Sequence, residues 1–547
     1  MRNTAVVAVA LLLLAGCSAG EQTESDEAAP ERSQGAATAG TAAPDERLTV
    51  IGDADPVASA AATSRVLFAR ADVAVVARDG DLAGELLGAS AAAGLGVPLL
   101  LEPAEGSGDV LAEELDRLGT TTVLAVGEAT AEGAGPEVVA VAAEPGAVER
   151  ATGLDLGDAD EVAGDSAVAA VAALDPEEPV ALVPEDGSSG GGGGDGRLPD
   201  VDRPEPLTGT LVVTTGSPES LAGAATARAA GARVVVTGTD DPRASTELVE
   251  LLAEEQPDAV VALGADLAAA DGLDWKLATA ATGTQLPGGG QLLFPGRMMV
   301  ALYGYPGSGA LGLLGEQDVP GAVDRARQYA ADYEPLVDRP VVPAFEIIAT
   351  VASEFPGTDG NYSTESDVEE LRPWVEAAGE AGIYVVLDLQ PGRTDFVTQA
   401  ELYRPLLELP NVGLALDPEW RLRPDQVHLT QIGSVDVEEV NRVVTWLADL
   451  TRENALPQKL LVLHQFRLDM IPGRERLDTS RDELAVLVHA DGQGPQGSKQ
   501  ATWQNLRAGA PPVWWGWKNF IDEDQPMLTP QETVTQVVPV PDLVSYQ

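Results

Sequence analysis

Val412-Gly413-Leu414-Ala415-Leu416-Asp417-Pro418-Glu419-Trp420 reads as a short buried strand that runs directly into charge. A continuous run of small and apolar residues suits a strand covered on both faces, as in a parallel sheet. Working outward, the same pattern recurs. Candidate strands are Met298–Tyr303, Val341–Ile348, Ile383–Leu387, Val412–Leu416, Leu460–Leu463, Leu484–Val488, Pro512–Trp515 and Leu543–Tyr546. Helical stretches such as Val319–Tyr333, Ser366–Ala381 and Val435–Asn454 fall between them. Eight β/α alternations in about 250 residues predict a (β/α)8 barrel of the TIM type over residues 298–547. An open doubly wound sheet is the alternative arrangement of the same elements.

In such a barrel the functional groups sit just past the C-terminal strand ends. Those positions hold Tyr303 and Tyr305, Glu346, Asp388 and Gln390, Asp417 and Glu419, His464 and Gln465, His489 and Asp491, Trp514, Trp515, Trp517 and Lys518, and Tyr546. Two of the chain's three His are among them, so a site is expected at this end of the barrel. Asp417 and Glu419 are two residues apart, which places both carboxylates on one face of an extended chain. Crowded like charges raise one pKa and hold a proton for delivery to a glycosidic oxygen.

Asp-x-Glu at the end of the fourth strand resembles the tail of the family-18 chitinase signature. That resemblance implies a glycosidase-like barrel, with Glu419 as general acid and Asp417 as its supporting carboxylate. Gly413 and Ala415 stand roughly where the signature carries two further Asp. A hydrolytic glycosidase uses a second carboxylate, for which Asp388, Glu346 and Asp491 are the candidates. Tyr303, Tyr305, His464, His489, Trp514, Trp515, Trp517 and Lys518 are candidate substrate-binding residues, and with Trp503 the aromatics offer flat faces for sugar rings. The segment Lys518–Asp524 is a candidate acidic lid. The competing enzyme reading is a metal-dependent hydrolase built on His464, His489, Asp388, Asp491 and Glu346. No short metal-ligand spacing accompanies these residues, so no metal or cofactor is expected.

Ahead of the barrel, residues 48–270 alternate β-branched runs with Ala-rich helical stretches, the pattern of parallel α/β units. Leu82-Ala83-Gly84 recurs as Leu221-Ala222-Gly223, and the strand ending at Gly127 recurs as one ending at Gly264. Matching landmarks lie about 137–139 residues apart, an internal duplication. Gly190–Gly194 reads as a flexible loop between the copies, and 271–297 as a linker to the barrel. Gly127 and Gly264 follow strands and are positions where a phosphate can approach a backbone. Gly52-Asp53-Ala54-Asp55-Pro56, the strand Val73–Ala77, Gly96-Val97-Pro98-Leu99 and Val123-Leu124-Ala125-Val126-Gly127 resemble the actinobacterial and clostridial cell-wall-binding repeat type 2. The likeness spans 51–134, more weakly 208–270, with a degenerate unit around 150–185. Where the family opens its first helix with an Asp-Ala pair, this chain has Ala83-Gly84. The resemblance implies binding to an anionic wall polymer; a pseudo-symmetric spacer domain is the alternative.

The N-terminus has a basic start, an apolar run from Ala5 to Ala15 and then Leu14-Ala15-Gly16-Cys17. This is a secretory signal, too short to span a bilayer. Its last four residues resemble the lipobox of bacterial lipoproteins, which implies a diacylglyceryl anchor on Cys17 and an extracytoplasmic location at the outer face of the membrane. Two acyl chains suit stable anchoring. Residues 18–47 are polar and Ala/Gly-rich, a flexible tether.

The 547 residues carry 87 Asp and Glu against 33 Lys and Arg, a net charge of −54, which excludes nucleic acid as a partner. The single Cys excludes a disulfide framework. The chain therefore reads as a lipid-anchored envelope protein whose barrel binds and hydrolyses a polysaccharide, or, alternatively, as a non-catalytic surface protein that binds wall polymer.

Overall fold

The computed structural model describes residues 36–547 apart from 132, 134, 188, 189, 192 and 195. Cys17, the lipobox and residues 18–35 of the expected tether lie outside the described residues.

Two four-stranded parallel sheets make up most of the N-terminal half. The first runs in the order Leu99–Glu102, Val73–Arg78, Thr122–Val126, Glu137–Val141. The second runs Arg233–Val236, Thr210–Thr214, Ala259–Leu263, Leu48–Ile51. The order is the same, but the outer strand of the second sheet comes from the start of the domain, which ties the two copies together. The helices Leu82–Leu95 and Leu221–Ala229 occupy equivalent places. Gly84 and Gly223 explain the shared Leu-Ala-Gly: a Cβ at Gly84 would lie 2.9 Å from the Val126 carbonyl, and one at Gly223 2.8 Å from the Leu263 side chain. A reduced third unit pairs Asp160–Val162 with Leu182–Pro184 around the helix Ala167–Ala173.

Asp side chains open many of the helices. Asp55, Asp81, Asp318, Asp367 and Asp395 each accept a first-turn backbone N–H, so part of the chain's acidity is spent on capping. Asp81 also accepts from Glu128 N at 2.8 Å. Its carboxylate thus fills the space beside Gly127 that the sequence left for a phosphate.

Three expected spacers are structured instead. Ala37–Thr41, inside the expected tether, is a strand paired with Phe68–Ala71 and Val201–Asp202. Gly190 and Gly194 hydrogen-bond the segment Ala140–Ala143, and Gly193 between them lets the backbones approach, since a Cβ there would lie 2.9 Å from Ala142 N. Within 271–297, Leu273–Ala280 is a helix, and Leu286, Leu293 and Phe294 join the buried residues at the barrel floor.

The barrel strands are β1 (Met298–Gly304), β2 (Val341–Ala352), β3 (Tyr384–Leu389), β4 (Val412–Leu416), β5 (Lys459–Gln465), β6 (Leu484–Ala490), β7 (Trp514–Asn519) and β8 (Leu543–Tyr546). Each pairs in parallel with the next, and β8 closes on β1 through Met299 opposite Leu543. Closure rules out the open sheet. Residues alternate between the barrel interior and the surrounding helices. The interior floor holds Met299, Ala344, Tyr384, Leu460 and Leu487, while Val300, Phe345, Leu387 and Leu461 pack outward. Gly413 is part of this packing. A Cβ there would lie 2.9 Å from the Tyr384 hydroxyl and 2.6 Å from the Leu460 carbonyl, so the Asp of the chitinase signature has no room.

Candidate active site

Follow the interior face of each strand to its C-terminal end and it changes from apolar to polar. The last inward residues are Tyr303 on β1, Glu346 on β2, Asp388 on β3, Asp417 just past β4, His464 on β5, His489 on β6, Lys518 on β7 and Ser545 on β8. Every strand contributes one, and all eight side chains are buried.

Seven of them are linked in one network, with Asp417 beside it. His464 Nε2 lies 2.7 Å from Glu346 Oε1, and its Nδ1 faces Asp491 Oδ2 at 3.1 Å. Lys518 Nζ reaches the other Asp491 oxygen at 3.2 Å and stands 3.6 Å above the centre of the Tyr303 ring. The Tyr303 hydroxyl donates to Asp388 Oδ2 at 2.9 Å. His489 Nε2 pairs with Ser545 Oγ at 2.7 Å. Gly516 makes this possible, since a side chain there would collide with the His489 ring.

Burial and charge sort the titratable groups into two sets. For Glu346 and Asp491 burial favours the neutral acid, but His464 beside the first and Lys518 beside the second outweigh it, and both stay below the usual carboxylate range. Burial likewise opposes charge on His464 and Lys518, and the surrounding carboxylates outweigh it, so both are held as cations. His489 is pushed down to about 4, chiefly by burial, and is neutral. Asp388, Asp417 and Glu419 go the other way. Burial first, then neighbouring carboxylates, raises Asp388 to about 6, Glu419 to about 7 and Asp417 well above its ordinary value.

Above this network lies a cavity of about 610 Å³. Tyr303, Gln390, Asp417, Glu419, Asp491 and Lys518 line its polar part, while Ile348, Trp420, Ile432, Phe466 and Phe520 supply apolar wall. Glu346, Asp388, His464 and His489 do not line the cavity and lie behind the residues that do. Asp417 and Glu419 share the cavity, but not as alternate residues of a strand: β4 ends at Leu416, and Pro418–Trp420 forms a single 3-10 turn. Gly433 N donates to the Glu419 carbonyl at 2.7 Å and, lacking a side chain, lets its loop lie against that turn.

Several expected ligand-binding residues sit elsewhere. Trp514 packs on Phe294 at 5.4 Å near the barrel floor. Trp515 and Trp517 turn outward against Trp503, with ring centres 5.7 and 5.9 Å away. These indoles fill the space between β7 and the helix Gln496–Arg507 and are not part of the cavity lining. Tyr305 lies in the loop after β1, beside Gly307 and outside the cavity lining. The Tyr546 hydroxyl is 2.7 Å from that of Tyr333 on the outer side, so the inward residue of β8 is Ser545. Gln465 accepts from Arg474. The expected acidic lid does border the cavity, which Lys518, Phe520 and Glu523 line, but it is tied down by Asp524, which accepts from Lys499 Nζ at 2.7 Å and from Phe520 N at 3.1 Å. Ser545 and Trp420 were missed as candidates. Strand alternation points to Ser545 once the register is known, and Trp420 lies in the Asp-x-Glu stretch itself.

Among the described residues no group of three or more His, Cys, Asp or Glu is arranged to hold a metal ion. His464 and His489 are already engaged within the network. No described helix is long and apolar enough to cross a membrane. No family model matches the chain, and no curated protein matches it. Among solved structures it is similar to Cwp6 from Clostridium difficile, at 13% identity over 78% of this chain and 63% of that one, with a TM-score of 0.31. The chain thus spans less than two thirds of that protein, and a likeness at this score carries no argument about activity or partners.

Proposed function

We propose that the barrel is a glycoside hydrolase displayed at the cell surface, with Glu419 as general acid. The observation that carries this reading is the contrast across one cavity: Glu419 keeps its proton up to about pH 7, while Asp491 stays ionised. A protonated and an ionised carboxyl facing one space are what glycosidic cleavage needs. Of the three candidates for the second carboxylate, only Asp491 lines the cavity; Glu346 and Asp388 lie behind the lining and position other groups. Asp417 is the neutral acid beside Glu419. Lys518 and His464 together offset the charge of Asp491 and Glu346, so the site suits an uncharged, hydroxyl-rich substrate.

The same reading includes a lipid anchor on Cys17 and export of everything after it. The N-terminal sheets then act as a spacer or a wall-polymer module. A glycan panel with wild type and Glu419→Gln tests the barrel. Loss of about 10²–10⁴-fold in turnover with binding retained supports the acid assignment; unchanged turnover sinks it. Binding without product in the wild type establishes instead a non-catalytic glycan-binding surface protein.

A further inference from the structure

Exposed apolar side chains are concentrated around the mouth. Among the described residues twelve large hydrophobics are exposed, and seven of them stand on loops that leave the C-terminal ends of barrel strands. Leu311 follows β1, Phe355 follows β2, Val427, Leu429 and Ile432 follow β4, Leu468 follows β5 and Ile521 follows β7. Scattered exposed apolar residues need no explanation; a ring of them around one opening does. Leu429 is 84% exposed and Phe355 67%, so neither contributes to the core.

These side chains are held out on braced loops. Leu429 has φ +63°, as does Tyr362 in the neighbouring loop, a conformation unfavourable for residues with a side chain. His428 Nε2 is 2.9 Å from the Tyr362 carbonyl, and its ring packs on Trp420 at 5.3 Å. The Arg393 guanidinium stacks over Tyr362 at 4.5 Å and donates to the Gln426 carbonyl at 2.9 Å. The loops after β2 and β4 are thus locked together with their apolar tips outward. The rim is also continuous with the cavity, because Leu311 and Ile432 belong to both. These two aliphatic side chains share the cavity wall with Trp420, Phe466 and Phe520 as well as with the carboxylates and Lys518, and Gln493, Glu523 and Gln547 complete its polar part.

We infer that the substrate is amphipathic, a sugar joined to an apolar chain as in a glycolipid, with the sugar on the polar floor and the chain leaving across the Leu311–Ile432 side of the rim. A polar glycan passing through the mouth would gain little from these aliphatic side chains, whereas an apolar aglycone is desolvated by them. This rests on the glycosidase reading and adds the class of aglycone.

The test compares methyl and n-octyl glycosides of glucose, galactose, mannose and N-acetylglucosamine, below micellar concentration, by binding and by product formation. The same sugars on lipids in phosphatidylcholine vesicles form a second arm, which separates a bilayer-held glycolipid from a dissolved one. Wild type is expected to bind at least one octyl or lipid-borne glycoside about tenfold or more tighter than its methyl counterpart. Phe355→Ser/Leu429→Ser, outside the cavity lining, is expected to lose most of that gain while methyl glycoside binding is unchanged. Absence of a chain-length gain in both arms, or a gain equal in the double variant, overturns the inference. Hydrolysis of methyl glycosides without a chain gain overturns it and leaves the glycosidase reading standing. A chain gain in binding without any hydrolysis supports it and removes the hydrolytic reading.

Discussion

His464 bridges Glu346, at 2.7 Å from Nε2, and Asp491, at 3.1 Å from Nδ1, and so connects a residue behind the cavity lining to one that faces the cavity. Replacing it by Gln removes a buried cation and leaves two carboxylates with Lys518 alone. Breaking a buried pair from one side costs about 3–5 kcal/mol. His464→Gln is expected to lose stability on that scale in urea unfolding and to raise the pKa of Asp491. An unfolding midpoint equal to wild type contradicts the bridge.

Glu419 must carry its proton to act as an acid. On the glycosidase reading, activity is expected below about pH 7 and is expected to fall as pH rises through that value. Asp388 is one of the charges that hold Glu419 up. In Asp388→Asn the alkaline limb of kcat/KM is expected at lower pH than in wild type. A limb that stays in place or moves to higher pH rejects this coupling.

A high-pKa carboxyl outside the barrel, Glu85 on the helix Leu82–Leu95, gives an independent check on burial. Glu85 is 9% exposed, accepts from Gly80 N at 2.8 Å and is raised to about 7, chiefly by burial. Its folded value exceeds its unfolded value near 4.5, so stability is fully present below that unfolded value and declines as pH rises toward about 7. Above pH 7 the ionised group costs about 3 kcal/mol. Glu85→Gln keeps an acceptor for Gly80 N and is expected to raise the melting temperature at pH 8 while changing little at pH 4. Equal effects at both pH values contradict the assignment.

The indoles separate by role. Trp517→Ala empties a buried site between β7 and its neighbouring helix and is expected to cost about 3–5 kcal/mol. Trp420→Ala, at the cavity wall, is expected to raise KM for a responsive glycoside with a smaller change in stability. Calorimetry and kinetics on the two variants distinguish them; the reverse pattern returns sugar binding to the 514–517 segment.

Gly516→Ala places a methyl group against the His489 ring. Overpacking of this kind costs about 1–3 kcal/mol, and the variant is expected to weaken the His489–Ser545 pair. A melting curve superimposable on wild type would show that the barrel has slack at this level.

Much of this architecture was legible without coordinates. Eight apolar runs separated by helical stretches implied the barrel, and a polar residue at nearly every strand end pointed to the candidate site, because strand periodicity and strand-end placement are local properties of the chain. Other assignments depended on position in three dimensions. Lys518 and Ser545 point inward while Trp517 and Tyr546 point outward, since a one-residue difference in register reverses every side chain. The sequence offered Asp388, Glu346 and Asp491 as equals; only the network leaves Asp491 at the cavity and sets the other two behind its lining. Likewise, 271–297 resembles a linker in composition, yet its Leu293 and Phe294 are buried at the barrel floor. Composition and periodicity determine which residues seek burial and which remain polar. Which carboxyl keeps its proton is decided by the charges that tertiary packing places around it.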